Sequence, residues 1–136
     1  MAEALLDVRG LRKSFGGVVA TDDLDLVVKQ GEIFAVIGPN GAGKTTLIAQ
    51  LAGSLRSDSG RILFDGRDVT RLAPPARAAL GLARTFQITS IFPEFTALEN
   101  VALAVQAHDG HSFRFWKDAR SESRLRDPAL AALDRV

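Results

Sequence analysis

Residues 32–55 read EIFAVIGPNGAGKTTLIAQLAGSL, and this stretch decides the fold of the chain. It begins with an apolar run at residues 33–37, which is typical of a strand buried on both faces. The segment GPNGAGKT follows at residues 38–45 and fits the pattern G-x-x-x-x-G-K-S/T. Leucine and isoleucine then recur at helical spacing, at positions 47, 48, 51 and 55. The sequence therefore predicts a buried strand, a glycine-rich loop and a helix in direct succession.

The residue types in this loop suit the binding of phosphate. Glycines let the backbone turn tightly and bring its N–H groups close to phosphate oxygens. The start of the following helix adds unpaired N–H groups and a partial positive charge. Lys44 can reach the terminal phosphates, the Thr45 hydroxyl can bind magnesium, and Thr46 offers a further donor. We expect the phosphate site to comprise Gly38, Asn40, Gly41, Ala42, Gly43, Lys44, Thr45 and Thr46.

The composition is that of an ordinary globular domain. Of 136 residues, 46% are hydrophobic and 24% are charged. The net charge of +1 and the lack of basic clusters weigh against a nucleic-acid partner. No apolar run approaches the about 20 residues of a membrane-spanning helix, and the N-terminus lacks the pattern of a signal peptide. We therefore expect a soluble, cytoplasmic protein that does not bind nucleic acid.

Strands are predicted on both sides of the central stretch. Apolar and alternating patterns predict a strand at residues 5–9 and a half-buried strand at residues 24–28. Between them, residues 11–17 are predicted to lead into a loop or hairpin turn. A further strand is predicted at residues 61–65, ending in a tight hairpin turn at Asp65-Gly66.

The second half of the chain is predicted to be mostly helical. Pro74-Pro75 predicts a short helix that ends near Gly81, and a strand is predicted at residues 82–87. The capping box TALE, residues 96–99, predicts the start of a helix. Asp127-Pro128 predicts the start of another.

In its longer form, GPNGAGKTTL at residues 38–47, the loop resembles that of the ATP-binding cassette ATPases. The resemblance implies an α/β fold of the P-loop NTPase class, a RecA-like core with an antiparallel β subdomain. It assigns residues 1–95 to the β subdomain and P-loop core, and residues 96–136 to the incomplete start of a helical subdomain. It also implies ATP and Mg²⁺ as cofactors.

The same resemblance assigns roles to two residues outside the loop. By pattern alone, Phe15 is best interpreted as a core residue. The family places an aromatic residue before the phosphate loop to stack on adenine, and the resemblance assigns that role to Phe15. Gln87, in ARTFQ, stands where the family has its Q-loop glutamine. The resemblance thus implies that Gln87 takes part in catalysis and binds Mg²⁺ together with Thr45.

Within the family, GLARTFQ at residues 81–87 resembles most the ATPase subunits of branched-chain amino-acid importers. The ATPases of lipid and lipopolysaccharide exporters are similar. The resemblance implies that MgATP powers the import of small solutes. It further implies a position on the cytoplasmic face of the membrane, where transmembrane permease subunits dock on residues 87–95 with Phe92 and Phe95 as anchors.

Several of the family's catalytic motifs have no counterpart in this sequence. It contains no LSGGQ, no apolar run ending in Asp-Glu, and no histidine in the context of the switch histidine. In this family the signature motif of a second ATPase subunit completes the site across a dimer. We therefore expect a fragment, truncated before the signature motif and the Walker B strand, that can at most bind nucleotide. Its partner in the full protein is a second ATPase subunit.

Four other classes of protein carry a loop of this kind. A GTPase would need the guanine-reading N-K-x-D, which is absent, and a small-molecule kinase would not explain ARTFQ. A non-transport cassette ATPase of DNA repair or translation is disfavoured by the near-neutral charge. A non-catalytic P-loop interaction module stays open, because the catalytic set is incomplete.

Overall fold

The computed structural model describes residues 4–86, 91–108 and 123–135. Contacts between residues divide the chain into two compact units, Met1–Thr85 and Phe86–Val136. The assignment of residues 1–95 and 96–136 to the subdomains of a cassette concerns a different division and stays a prediction. Among the helices of the described ranges, none is long and apolar enough to cross a membrane.

The first unit is built on one antiparallel sheet. Its strands are β1 (Ala4–Phe15), β2 (Val18–Lys29), β3 (Ser59–Phe64) and β4 (Arg67–Asp68), in the order β2-β1-β3-β4. β1 is the strand that pairs with both β2 and β3. The sheet confirms the expectation of an antiparallel β portion.

Two tight hairpins connect these strands. Asp65 and Gly66 have φ of 47° and 72° and join paired residues Phe64 and Arg67, which confirms the predicted turn. The prediction that residues 11–17 lead into a loop or hairpin turn is confirmed, because β1 continues to Phe15 and Gly16 and Gly17 turn into β2. Phe15 pairs with Val18 across this turn, so it is the last residue of a strand.

Residues 33–37 do not form the predicted buried strand. Residues 32–39 have no regular secondary structure, and the side chains of Ile33 and Ile37 are 99% and 91% exposed. A strand needs a neighbour for its backbone hydrogen bonds. The sheet of the described part has β2 and β4 at its edges and does not include residues 33–37.

Two helices complete the first unit, α1 (Lys44–Ala52) and α2 (Pro74–Ala79). Both confirm the sequence patterns that predicted them. The predicted strand at residues 82–87 is wrong for residues 82–86, which have no regular structure, and residue 87 lies outside the described residues. The buried core joins the sheet to α1 and comprises Leu6, Val8, Leu11, Leu47, Ile62 and Val69.

The described residues of the second unit, 86, 91–108 and 123–135, form two helices in contact, α3 (Ala97–His108) and α4 (Ser123–Leu133). The capping box is confirmed, since Glu99 N donates to Thr96 Oγ1 at 3.2 Å and Thr96 N donates to Glu99 Oε2 at 2.8 Å. The predicted start of the last helix at Asp127 is wrong, because α4 begins at Ser123 with Pro128 inside it. Leu125 and Ala129 lie one turn apart and are both buried, which favours a helix that continues through the proline.

Candidate functional site

The glycine-rich loop ends at Gly43, which caps the N-terminus of α1. Gly43 has φ of 82° and ψ of 2°, a left-handed conformation that residues other than glycine rarely adopt. Its carbonyl accepts the N–H of Leu47 at 2.8 Å, which starts the helix. A Cβ at this position would overlap the carbonyl oxygen of Ala20 on β2. Gly43 is therefore required both for the turn and for the close approach of the helix to the sheet.

The ammonium group of Lys44 lies against the loop itself. Lys44 Nζ donates to Gly38 O at 2.6 Å and to Pro39 O at 2.5 Å. Both acceptors are neutral carbonyls, so these bonds fix the position of the ammonium group without neutralising its charge. The positive charge stays available to an anion at the loop.

A cavity of about 270 Å³ brings the loop together with the β1–β2 hairpin. The hairpin supplies an aromatic ring and small apolar side chains, and the loop with the first turn of α1 supplies N–H groups, an ammonium and two hydroxyls. Its lining comprises Phe15, Val18, Val19, Ala20, Asn40, Gly41, Gly43, Lys44, Thr45 and Thr46. An apolar half beside a half with N–H, ammonium and hydroxyl donors matches the two chemical parts of a nucleotide.

The family of the chain follows from a match over most of its length. Residues 21–135 match the ABC transporter family. The chain belongs to that family. The resemblance expected from the loop sequence is thereby confirmed.

Curated relatives of this family include several import ATPases. The ribose import ATP-binding protein RbsA 1 of Rhizobium etli is 35% identical over 130 residues, which are 96% of this chain and 25% of that protein. The "probable branched-chain amino acid transport ATP-binding protein LivG" of Archaeoglobus fulgidus is 38% identical over 109 residues, 80% of this chain and 42% of that protein. The chain thus spans less than half the length of each of these relatives.

Solved structures of ABC ATP-binding cassettes have the same fold. A nucleotide-free cassette from an ABC transporter superposes with a TM-score of 0.79 at 30% identity, covering 97% of this chain and 53% of that one. The ADP conformation of an ABC cassette superposes with a TM-score of 0.70 at 36% identity, covering 75% of this chain and 40% of that one. The predicted P-loop NTPase fold class is confirmed by these structures.

Phe15 lies at the mouth of the site and not in the core. Its side chain is 49% exposed, and Lys13 Nζ lies 5.5 Å from the centre of its ring. Asp58 holds this end of β1, because it accepts the N–H of Ser14 at 2.7 Å and the Nζ of Lys13 at 2.6 Å. The hydrogen bond from Lys13, followed by that from Ser14, lowers the pKa of the Asp58 carboxyl below its ordinary value. The exposed face of the ring is free of core packing and available for stacking.

Most residues predicted for the site are brought together. Phe15 and six of the eight predicted loop residues line the cavity; Ala42 lines an adjoining cavity, and Gly38 holds the ammonium of Lys44. Gln87 lies outside the described residues, so its predicted roles stay predictions.

The Thr45 hydroxyl fits a magnesium ion that is bound mainly by phosphates. No cluster of three or more His, Cys, Asp or Glu side chains suited to a metal occurs in the described part of the chain. Mg²⁺ commonly keeps several waters and binds one or two protein oxygens together with substrate phosphates. A hydroxyl on the cavity wall suits such a site, and a dedicated carboxylate cage is not needed for it.

Sequence reasoning missed two buried polar side chains that hold α1 in place. Gln50 is fully buried on α1, and Arg77 on α2 is 2% exposed. Gln50 lies one turn after the core residue Leu47, so a polar residue on the apolar face of the predicted helix was the available signal. For Arg77 no local pattern in the sequence indicates burial.

Arg77 binds four backbone carbonyls and joins three segments of the first unit. Its Nη1 donates to Gln50 O at 2.9 Å and Leu51 O at 2.6 Å, at the C-terminal end of α1. Its Nε donates to Leu72 O at 2.9 Å, and its Nη2 to Thr70 O at 3.0 Å. Burial lowers the pKa of the guanidinium below its ordinary value. Arg77 thus fixes the end of the phosphate-loop helix to the segment after β4.

Proposed function

We propose that this chain is the nucleotide-binding part of the ATPase subunit of an ABC transporter, and that it binds MgATP. The observation that carries the proposal is the cavity in which the half-exposed Phe15 ring and the glycine-rich loop face the same space. Adenine stacks on Phe15, while the phosphates take the N–H groups of the loop and the ammonium of Lys44. The family membership of the chain supports the same assignment.

Magnesium belongs to this proposal as a counter-charge. The Thr45 hydroxyl holds the ion, with Gln87 as a second protein ligand. When bound, Mg²⁺ offsets the negative charge of the phosphates and so supports phosphoryl transfer. Thr46 provides a further hydrogen-bond donor to the phosphates from the first turn of α1.

ATP hydrolysis is proposed for the full-length protein. Phosphoryl transfer needs a positioned water and charge stabilisation on the transferring group as well as a phosphate cradle. Gln87 contributes to that step, and a second ATPase subunit supplies the family's signature motif across a dimer. The 136-residue chain contains neither that motif nor the Asp-Glu pair, so its own contribution is nucleotide binding.

The transported substrate is proposed to be a small solute that is imported. Branched-chain amino acids are the first candidate. The motif GLARTFQ at residues 81–87 and the 38% identity to an archaeal branched-chain amino acid transport protein favour this class. Ribose is the second candidate, because the match to a ribose import protein covers 96% of the chain. Uptake of labelled leucine against labelled ribose by vesicles that carry the complete transporter decides between them.

Stacking on Phe15 predicts that a change at this residue weakens the binding of adenine without weakening the binding of the phosphates. Phe15→Ala should weaken MgATP binding about fivefold, because a lost aromatic contact costs about 1 kcal/mol. Pyrophosphate, which has no base, should bind as before, and Phe15→Tyr should retain affinity because it keeps the ring. Isothermal titration calorimetry of the 136-residue chain measures all three. An equal loss of affinity for pyrophosphate would show that Phe15 is structural and that the site does not recognise a base.

We also propose that residues 87–95 dock against transmembrane permease subunits. Phe92 and Phe95 are 54% and 39% exposed, and their ring centres are 5.2 Å apart. Asn100 holds the loop at residues 92–95, since its Nδ2 donates to Phe92 O at 3.1 Å and Phe95 O at 3.2 Å, and its Oδ1 accepts the N–H of Phe92 at 2.9 Å. A pair of exposed rings on a fixed loop is an apolar anchor whose conformation is set before binding.

Replacing both rings should separate assembly from nucleotide binding. In a full-length cassette that carries these residues, Phe92→Ser with Phe95→Ser should reduce co-purification with the permease by about tenfold or more, since buried aromatic anchors dominate such interfaces. MgATP affinity should not change. Leu130→Ser, an exposed apolar residue on α4, is the matched control. Normal co-purification and transport by the double variant would exclude this loop as the docking surface.

A further inference from the structure

A buried hydrogen bond joins the phosphate-loop helix to strand β2. Thr21 Oγ1 on β2 donates to Gln50 Oε1 on α1 at 2.7 Å, and the two residues are 5% and 0% exposed. The Nε2 group of Gln50 donates to Ser57 Oγ at 2.8 Å and to Arg12 O at 3.3 Å. All polar atoms of this side chain are therefore engaged, and only the bond to Thr21 reaches β2.

The same strand carries the apolar half of the candidate site. Val18, Val19 and Ala20 line the cavity and directly precede Thr21. The carbonyl of Ala20 also lies against Gly43 at the N-terminus of α1. Gln50 follows Gly43 by seven residues, which is about two helical turns on the same face. β2 thus touches α1 at its N-cap, Gly43, and again two turns later at Gln50.

Two contacts of different kinds fix the helix more completely than either alone. The contact of Gly43 with Ala20 sets how near the start of the helix comes to the strand, but it leaves rotation and sliding open. A hydrogen bond has a preferred direction and length, so the Thr21–Gln50 bond restricts both. An apolar residue at position 50 could fill the same buried space without this direction, and a buried amide is tolerated only because its partners are present.

We propose that the Thr21–Gln50 hydrogen bond is a positioning device that holds the phosphate loop in register with the adenine-stacking hairpin. The proposal rests on the proposed function, because a ligand must span both halves of the cavity for their register to matter. ATP spans both halves, and pyrophosphate occupies only the loop. Gln50 and Thr21 are positioning residues that act through α1 and β2 and do not touch the nucleotide.

The test compares two ligands on the same 136-residue chain. In the variant Thr21→Val with Gln50→Leu, both polar partners are replaced by apolar groups of similar size. MgATP should bind about fivefold more weakly, as expected for the loss of one directional contact, while pyrophosphate affinity should stay within about twofold. Thr21→Ser keeps the hydroxyl and should keep the ATP-to-pyrophosphate ratio of the parent.

Ser57→Ala is the matched control, because it removes a partner of Gln50 that does not lie on β2. It should lower thermal stability without changing the affinity ratio. If the double variant does not fold, Thr21→Val alone removes the hydroxyl that bonds to Gln50. Its ratio of ATP affinity to pyrophosphate affinity should change as expected for the double variant. An equal loss for both ligands, or no loss for either, would overturn the positioning role and leave ATP binding in place. A parent chain that binds neither ligand would overturn the proposed function and this inference with it.

Discussion

Replacing Lys44 with alanine should weaken MgATP binding by about tenfold to a hundredfold. A charge-assisted hydrogen bond contributes roughly 1.5–3 kcal/mol, and Lys44 is the ammonium group that lines the cavity. The fold should not change, because the hydrogen bonds of the Lys44 ammonium group go to the carbonyls of the exposed residues Gly38 and Pro39. Calorimetry measures the affinity, and thermal unfolding measures the stability of the same samples.

The control for this variant is Lys29→Ala. Lys29 is the exposed last residue of β2, so its replacement removes the same charge away from the cavity. Its effect on MgATP affinity should stay within about twofold and should vanish at high salt, since distant surface charges are screened. If Lys44→Ala binds MgATP as the parent does, the loop is not the phosphate site.

Replacing Arg77 with methionine should lower the free energy of unfolding by about 3 kcal/mol. Methionine fills a similar length but donates no hydrogen bond, so four backbone carbonyls lose the hydrogen bonds that Arg77 donates to them. At 2% exposure, water cannot replace the guanidinium without opening the structure. Urea unfolding, followed by circular dichroism, measures the loss.

Arg67→Met provides the comparison for Arg77. Arg67 is an exposed arginine on β4, and its replacement should change the free energy of unfolding by no more than about 0.5 kcal/mol. Equal midpoints for the two variants would show that the buried arginine does not hold α1. Arg77→Lys should be intermediate, because an ammonium group cannot reach four carbonyls with the geometry of the guanidinium fork.

Local chemistry explains which parts of the fold were predictable. The start of α1, the Asp65-Gly66 turn and the Thr96–Glu99 capping box each depend on residues within a few positions of one another. Such patterns can be read directly from the sequence. The same holds for the loop residues of the site, whose spacing already specifies a phosphate cradle.

The errors concern contacts between distant residues. The strand predicted at residues 5–9 was too short, because β1 continues to Phe15, where Arg12 pairs with Asp22 across the sheet at 3.3 Å and Lys13 pairs with Asp58 at 2.6 Å. Residues 33–37 looked like a buried strand because they are apolar, but a strand depends on neighbours that a local pattern does not reveal. Gln50 and Arg77 were missed for the same reason, since their partners lie elsewhere in the chain.

Arg77 also affects the electrostatic field along α1. The peptide dipoles of a helix sum to about half a negative charge at its C-terminus and half a positive charge at its N-terminus. α1 has nine residues, so its ends lie about 13 Å apart. The guanidinium on the carbonyls of Gln50 and Leu51 offsets the negative end of the helix. Its charge lowers the energy of a unit negative charge at the other end by on the order of 1 kcal/mol. We therefore expect Arg77, at the far end of α1 from the loop, to strengthen the attraction of the loop for anions, and the pyrophosphate affinity of Arg77→Met at low and high salt tests this expectation.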